Sequence, residues 1–228
     1  MQRTLKHIGT IALLAASTGL IATSAQAQSD QQKLVGEAEK TLSNFVRDPD
    51  MTWLQNNIGR AKGVLISPQI AKAGFIIGGS GGHGVLLAHD AKSGKWAGPA
   101  FYTLATASIG FQAGVSVSET VMLVMTDKGL NSLMASSMKI GGDASVAAGP
   151  VGAGAKSDIV ADLVSFSRAK GVYGGVNLDG TVIAPANDWN KAFYGKEVLP
   201  PDILIRGTAR SKQSDALLAQ VAKATKKK

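Results

Sequence analysis

Between residues 31 and 47, apolar side chains recur at Leu34, Ala38, Leu42 and Phe45, with Val35 and Val46 widening the stripe. That spacing predicts an amphipathic helix. Lys33, Lys40 and Arg47 recur every seven residues and fall on the face opposite the stripe. A helix lying on a membrane carries its basic residues at the edges of the apolar stripe. Here they oppose it, which favours a helix packed on a protein core. "RDPD" stops this helix, and "DMTWLQNNIGRAK" predicts a second, shorter one.

From residue 62 the texture changes to short apolar runs cut by Gly, Ser and Pro. "GVLIS", "AGFIIGG", "HGVLLAHD", "ASIGFQAGVSV" and "ETVMLVMT" read as strands, with "DAKSGKW" a turn between two of them. "DKGLNSLMASS" predicts a helix capped by Asp127. A Gly/Ala run follows, then three strand segments in "IVADLVSFSRAKGVYGGVNLDGTVIAP", with "NLDGT" as a hairpin turn. "ANDWNKAFYG" is a short helix ended by Gly195, and "SKQSDALLAQVAKATKKK" a last helix fraying into lysines. The strands lack the intervening helices that parallel crossovers need. The expected fold is therefore α+β: a strongly curved, mostly antiparallel sheet, nearly closed into a barrel, with N-terminal helices and a C-terminal helix packed at its ends.

Gly79, Gly81 and Gly84 match G-x-G-x-x-G. A dinucleotide site needs a helix directly after the last glycine and a carboxylate about 20 residues on. "VLLAHD" is too short and is patterned as a strand, so the match is an accident of a glycine-rich hairpin. No phosphate-binding G-x-x-x-x-G-K-[ST] occurs either, and no cofactor is expected.

Composition changes the picture in three places. The first 27 residues hold Arg3 and Lys6, the apolar "IGTIALLAASTGLIA" and then "AQA". This is the pattern of a cleaved secretory signal, with the mature chain starting near Gln28. The absence of cysteine excludes disulfides, thiol catalysis and a lipid-modified cysteine. The formal charge of +8 is unevenly placed: from Arg206 onward, seven basic residues face Asp215 alone, whereas residues 28–205 hold 15 basic and 15 acidic side chains. A basic tail favours anionic surfaces, and no nucleic-acid-binding core is implied.

Catalytic and metal chemistry find little footing. His83 and His89, six apart, face one side of a strand if no bulge intervenes, but no third metal ligand is evident. Ser80 in "GGSGG" lacks a nucleophile elbow. Trp53, Trp96 and Trp189 read as packing residues rather than membrane-interface anchors. Lys62 and Lys72 flank the strand leading into the glycine hairpin. They either strengthen a backbone anion site there or are solvated lysines beside a tight turn with positive φ.

The run from "AKGVLISPQIAKAGF" through "GGSGGHG", "WAGPAFY", "GGDASVAAGPVG", "SFSRAKG" and "NKAFYG" resembles the SYLF domain family of lipid-binding proteins, also described as an actin-binding module in its fungal members. The likeness covers residues 31–205. It implies a non-enzymatic module that binds phosphoinositide-like or other anionic lipid head groups. Eukaryotic members carry SH3 or FYVE partner domains. This chain is similar instead to exported bacterial stand-alone members, for which phosphoinositides and actin are not the expected ligands. Lipid binding in some members is attributed to the helix that opens the domain, and Lys33, Lys40 and Arg47 occupy the matching region. The expectation is three segments: a signal at 1–27, a lipid-binding domain at 28–205, and a basic helix and tail at 206–228. The protein would be periplasmic or secreted and peripherally membrane-associated, with an anionic phospholipid surface as partner. An envelope scaffold binding another protein, or a carrier of a small apolar ligand, are the alternatives.

Overall fold

The computed structural model describes residues 29–74, 77–90, 92–109, 114–152, 158–169, 172–174 and 180–226. The expected signal segment and most of the "NLDGT" turn lie outside them. The first helix, α1 (Asp30–Arg47), starts where the Ser29 hydroxyl accepts the Gln32 N–H at 3.3 Å. It stops at Asp48, whose carboxylate accepts the Asp50 N–H and opens a 3-10 turn, Pro49–Met51. Then come α2 (Thr52–Asn57) and a second 3-10 turn, Ile58–Arg60.

Four long strands follow: β1 (Gly63–Gly74), β2 (Ile77–Asp90), β3 (Lys95–Ile109) and β4 (Gly114–Val124). The remaining elements are α3 (Asp127–Met134), β5 (Met138–Lys139), β6 (Val146–Ala148), β7 (Leu163–Ala169), β8 (Val172–Gly174), β9 (Val182–Pro185), α4 (Asn187–Tyr194), α5 (Pro200–Leu204) and α6 (Asp215–Thr225). They form one curled, half-barrel sheet in the order β5-β9-β3-β2-β1-β4-β7-β6, with β8 paired to β7. β6 and β7 run parallel, and the other pairs are antiparallel. The α+β class and the curved sheet are as the sequence led us to expect.

Strand boundaries differ from that expectation. The glycines taken as breaks are strand interior: "AGFIIGG" holds the end of β1 and the start of β2, and Gly79, Gly81, Gly82 and Gly84 all lie within β2. None of these four has a positive φ, so the tight turn placed among them is absent. β3 is 15 residues long, yet its "WAGPAFY" stretch carries no strand signal because Gly-Pro reads as a break. The chain absorbs that dipeptide in a bulge, where the register with β2 shifts between Leu86 and Ala88. Gly98 sits there at φ 132°, and an added Cβ would approach the Leu86 carbonyl to 2.9 Å. The cap of α3 also moves by one residue. The Thr126 hydroxyl accepts the Gly129 N–H at 3.0 Å, and Asp127 is a first-turn residue.

Successive residues of the central strands point into two separate cores. Val64, Ile66, Val85, Leu87, Val121, Leu123, Val164 and Phe166 face a layer formed by α1, α2 and α6. Leu65, Leu86, Ala88, Met122, Val124 and Leu163 face α3, α5 and the β5 region. Continuous apolar runs such as "VMLV" are what a strand covered on both faces requires. α6 belongs to the first core through Leu217, Val221 and Ala224, all buried. Leu217 and Val221, four apart, form the apolar stripe by which α6 packs there.

One buried carboxylate ties the second core together. Asp162 accepts the Thr126 hydroxyl at 2.6 Å and both the amide and hydroxyl of Ser145 at 2.9 Å. These bonds, the Thr126 hydroxyl foremost, hold its pKa down to about 2. Among the described residues no helix is long and apolar enough to cross a membrane.

Candidate functional site

The outer face of α1 is the most distinctive exposed surface with a chemical signature. Seven α1 residues, from Leu34 to Val46, are buried, and the six apolar ones among them enter the first core and set the helix rotation. Lys33, Lys40 and Arg47 are consequently all exposed on the opposite face. At 1.5 Å per residue they span roughly 21 Å along the axis. The positions between them on that face are the uncharged Gly36, Ser43 and Asn44 and one acid, Glu37, which stands between Lys33 and Lys40. An added Cβ at Gly36 would meet nothing within 4 Å, so the row is open to solvent there. None of the three cations makes an ion pair among the described residues.

The other two sequence candidates are placed elsewhere. Lys62 lies just before β1. Its ammonium is 3.4 Å from the Asp127 carboxylate, and its backbone joins the sheet through Val124 and His89. Lys72 is exposed near the far end of β1, opposite Ser80 and Ser116. Ten residues of strand separate the two lysines, roughly 30 Å, so they do not converge on one anion. Neither joins the α1 row. Ala71 faces α1, and Lys72, its neighbour, projects from the other face of the sheet.

α1 begins beside a groove of about 320 Å³ that sequence reading did not find. Asp30, Lys33 and Glu37 stand on its helix side, and Gln69, His83 and Trp189 on its sheet and α4 side. The His83 ring stacks on the Trp189 indole, with centroids 4.1 Å apart and planes 22° apart. His89 stacks in the same way on Trp96, at 4.6 Å and 10°. The two bulges lie in β1 and β3 rather than in β2, so both histidines do face the α1 side. Each is engaged by its own tryptophan. Ser80 points to the opposite face by strand alternation, away from both imidazoles. Trp53 and Trp96 are buried, and Trp189 is half-buried at the groove. The signal that could have found the groove is the helical spacing of Asp30, Lys33 and Glu37, but nothing local pairs them with residues 69, 83 and 189.

These features define a class: an open, curled sheet covered by helices, with a polar outer helix face and a small polar groove at its start. The family model described as Ysc84, Las17-binding protein actin regulator, matches residues 105–224. The chain belongs to this family, in agreement with the SYLF resemblance. SH3 domain-containing YSC84-like protein 1 of Homo sapiens is 28% identical over 191 residues, 79% of this chain and 55% of the relative. LAS seventeen-binding protein 3 of Saccharomyces cerevisiae is 32% identical over 171 residues, 70% and 37% of the two chains. Protein YSC84 of the same yeast is 31% identical over 172 residues, 70% and 36%. The chain thus spans about half or less of the length of these relatives. None of these descriptions is that of an enzyme.

Proposed function

We propose that this protein is a non-enzymatic module that docks on anionic phospholipid surfaces through the outer face of α1. One observation carries the reading: three exposed cations against the single acid Glu37 line one face of α1, while the apolar face of the same helix is wholly committed to the core. Such a helix contacts head groups with its charges and inserts nothing. Each cation contributes roughly 1 kcal/mol at an anionic surface, screened by salt. Lys223 and Lys226, on and just after α6, add to the attraction without forming a separate site. Export to the periplasm or beyond is part of the proposal. It rests on the pattern of residues 1–27, and N-terminal sequencing of the purified protein should begin near Gln28.

Co-sedimentation with vesicles tests the docking. Binding should require anionic lipid and weaken steeply between about 50 and 500 mM salt. Equal binding to neutral vesicles, or none to either kind, overturns it. The relatives' names favour a second reading, a protein-interaction module, since one of them is called Las17-binding. Capture of a defined envelope protein that is insensitive to charge reversal on α1 would support that alternative. The carrier alternative has less to rest on, because both faces of the central strands are filled by packed side chains.

A further inference from the structure

We infer that the groove at the start of α1 is a binding site for a zwitterionic phosphate ester of the phosphoethanolamine type. The inference goes beyond docking on anionic surfaces and does not depend on it, although the two share Lys33. The argument begins with charge. Asp30, Lys33 and Glu37 line the groove, and none of their side chains has a hydrogen-bond or ion-pair partner among the described residues. Two carboxylates and one ammonium, all uncommitted, form the mirror image of a ligand with a cationic and an anionic end.

The groove also supplies an aromatic wall. Trp189 is held by its stack on His83 and by Phe101, whose ring centroid is 6.1 Å away. An ammonium held by one of these carboxylates, Asp30 or Glu37, shares the groove with that indole and can gain from its electron-rich π system. Lys33, one helical turn from both carboxylates, takes the phosphate. The volume of about 320 Å³ sits at the lower end of the roughly 300–1,000 Å³ usual for small-molecule sites. That suits a head group rather than an acyl chain. The same carboxylates disfavour a polyanion, so inositol phosphates should be excluded here. Asp30, Glu37 and His83 do not converge as a metal-holding group.

Two sources carry this chemistry: a soluble phosphoethanolamine ester and a phosphatidylethanolamine head group. The test is calorimetric titration of the purified protein with phosphoethanolamine, followed in parallel by tryptophan fluorescence. Inorganic phosphate and inositol hexakisphosphate serve as comparisons. Saturable binding of phosphoethanolamine is expected, and it should weaken about tenfold in Asp30→Asn/Glu37→Gln and in Lys33→Gln, corresponding to about 1.4 kcal/mol. Lys92→Gln, on the exposed β2–β3 turn, should bind as the parent does. Phosphatidylethanolamine added to neutral phosphatidylcholine vesicles then assigns the source. Enhanced vesicle binding means a lipid head group, and binding of the soluble ester alone means a free metabolite. No saturable binding, tighter binding of the polyanion, or unchanged binding by the Asp30→Asn/Glu37→Gln variant overturns the inference. Failure on anionic vesicles with retained ester binding would sink only the docking proposal.

Discussion

The same four long strands pass through two very different environments. In one half, residues such as Val64, Leu65, Val85, Leu86, Met122 and Leu123 are fully buried and send alternate side chains into two cores. Beyond the β1 bulge near Ser67–Gln69, the strands continue with Ala71, Lys72, Gly79, Thr103, Ala105, Ala107 and Val117, all exposed. The first half is held by packing on both faces. The second is held chiefly by its backbone ladder, with Gly, Ala, Ser and Thr keeping the surface thin. A strand needs helices above and below only where its side chains are large enough to demand them.

That contrast makes its sharpest prediction in the buried half. Phe45→Ala, in the centre of the α1 contact, should cost about 3–5 kcal/mol in chemical denaturation. Ala105→Ser, in the projecting half, should change stability by less than about 0.5 kcal/mol. A similar cost for the two would dissolve the distinction.

Next in size is a pair of glycines within β2. An added Cβ at Gly82 would lie 2.2 Å from the Gln69 carbonyl oxygen, where the β1 bulge crosses. The contact is to backbone, so Gly82→Ala should cost about 1–3 kcal/mol or more. At Gly79 the nearest atom would be 3.4 Å away, and Gly79→Ala should be close to neutral. Equal behaviour would mean that glycine serves chain flexibility there and not close approach.

The buried carboxylate gives a pH signature to the packed half. Asp162 titrates at about 2 in the folded chain against an ordinary value of 3.8, so its bonds add stability above pH 4. That contribution, on the order of 2 kcal/mol, is lost as pH falls from about 4 to 2. Urea midpoints across this range should lose the corresponding slope in Asp162→Asn. A gain is expected at Gly36, where Gly36→Ala on the open face of α1 should stabilise the fold by about 0.5–1 kcal/mol in thermal melts.

What the sequence disclosed follows the same divide. α1 was readable in both its extent and its rotation, because six apolar positions at helical spacing leave one solution. The buried halves of β1, β2 and β4 were readable as apolar runs. The projecting halves were not, since glycine in "GGSGGHG" carries the same local signal in a strand as in a turn. β3 was hidden by Gly98-Pro99, which only the long-range register with β2 accommodates. Of the candidate site, the α1 row was legible because periodicity fixes it. The groove was not, because Trp189 reaches α1 only through the pairing of β9 with β3 that sets α4 in place. Lys62 and Lys72, read as flanking the strand into the glycine hairpin, do stand near its two ends, but that strand is 12 residues long and keeps them apart.

The docking claim is tested most directly by reversing the α1 row. Lys33→Glu/Lys40→Glu/Arg47→Glu places three acids on a face that touches no core residue, so the fold should persist by circular dichroism. Vesicle co-sedimentation at low salt should then drop by at least about tenfold on anionic lipid. The control Lys223→Gln/Lys226→Gln should fall by less. Undiminished binding by the α1 variant, with its fold intact, would contradict the account and move the membrane contact off this helix.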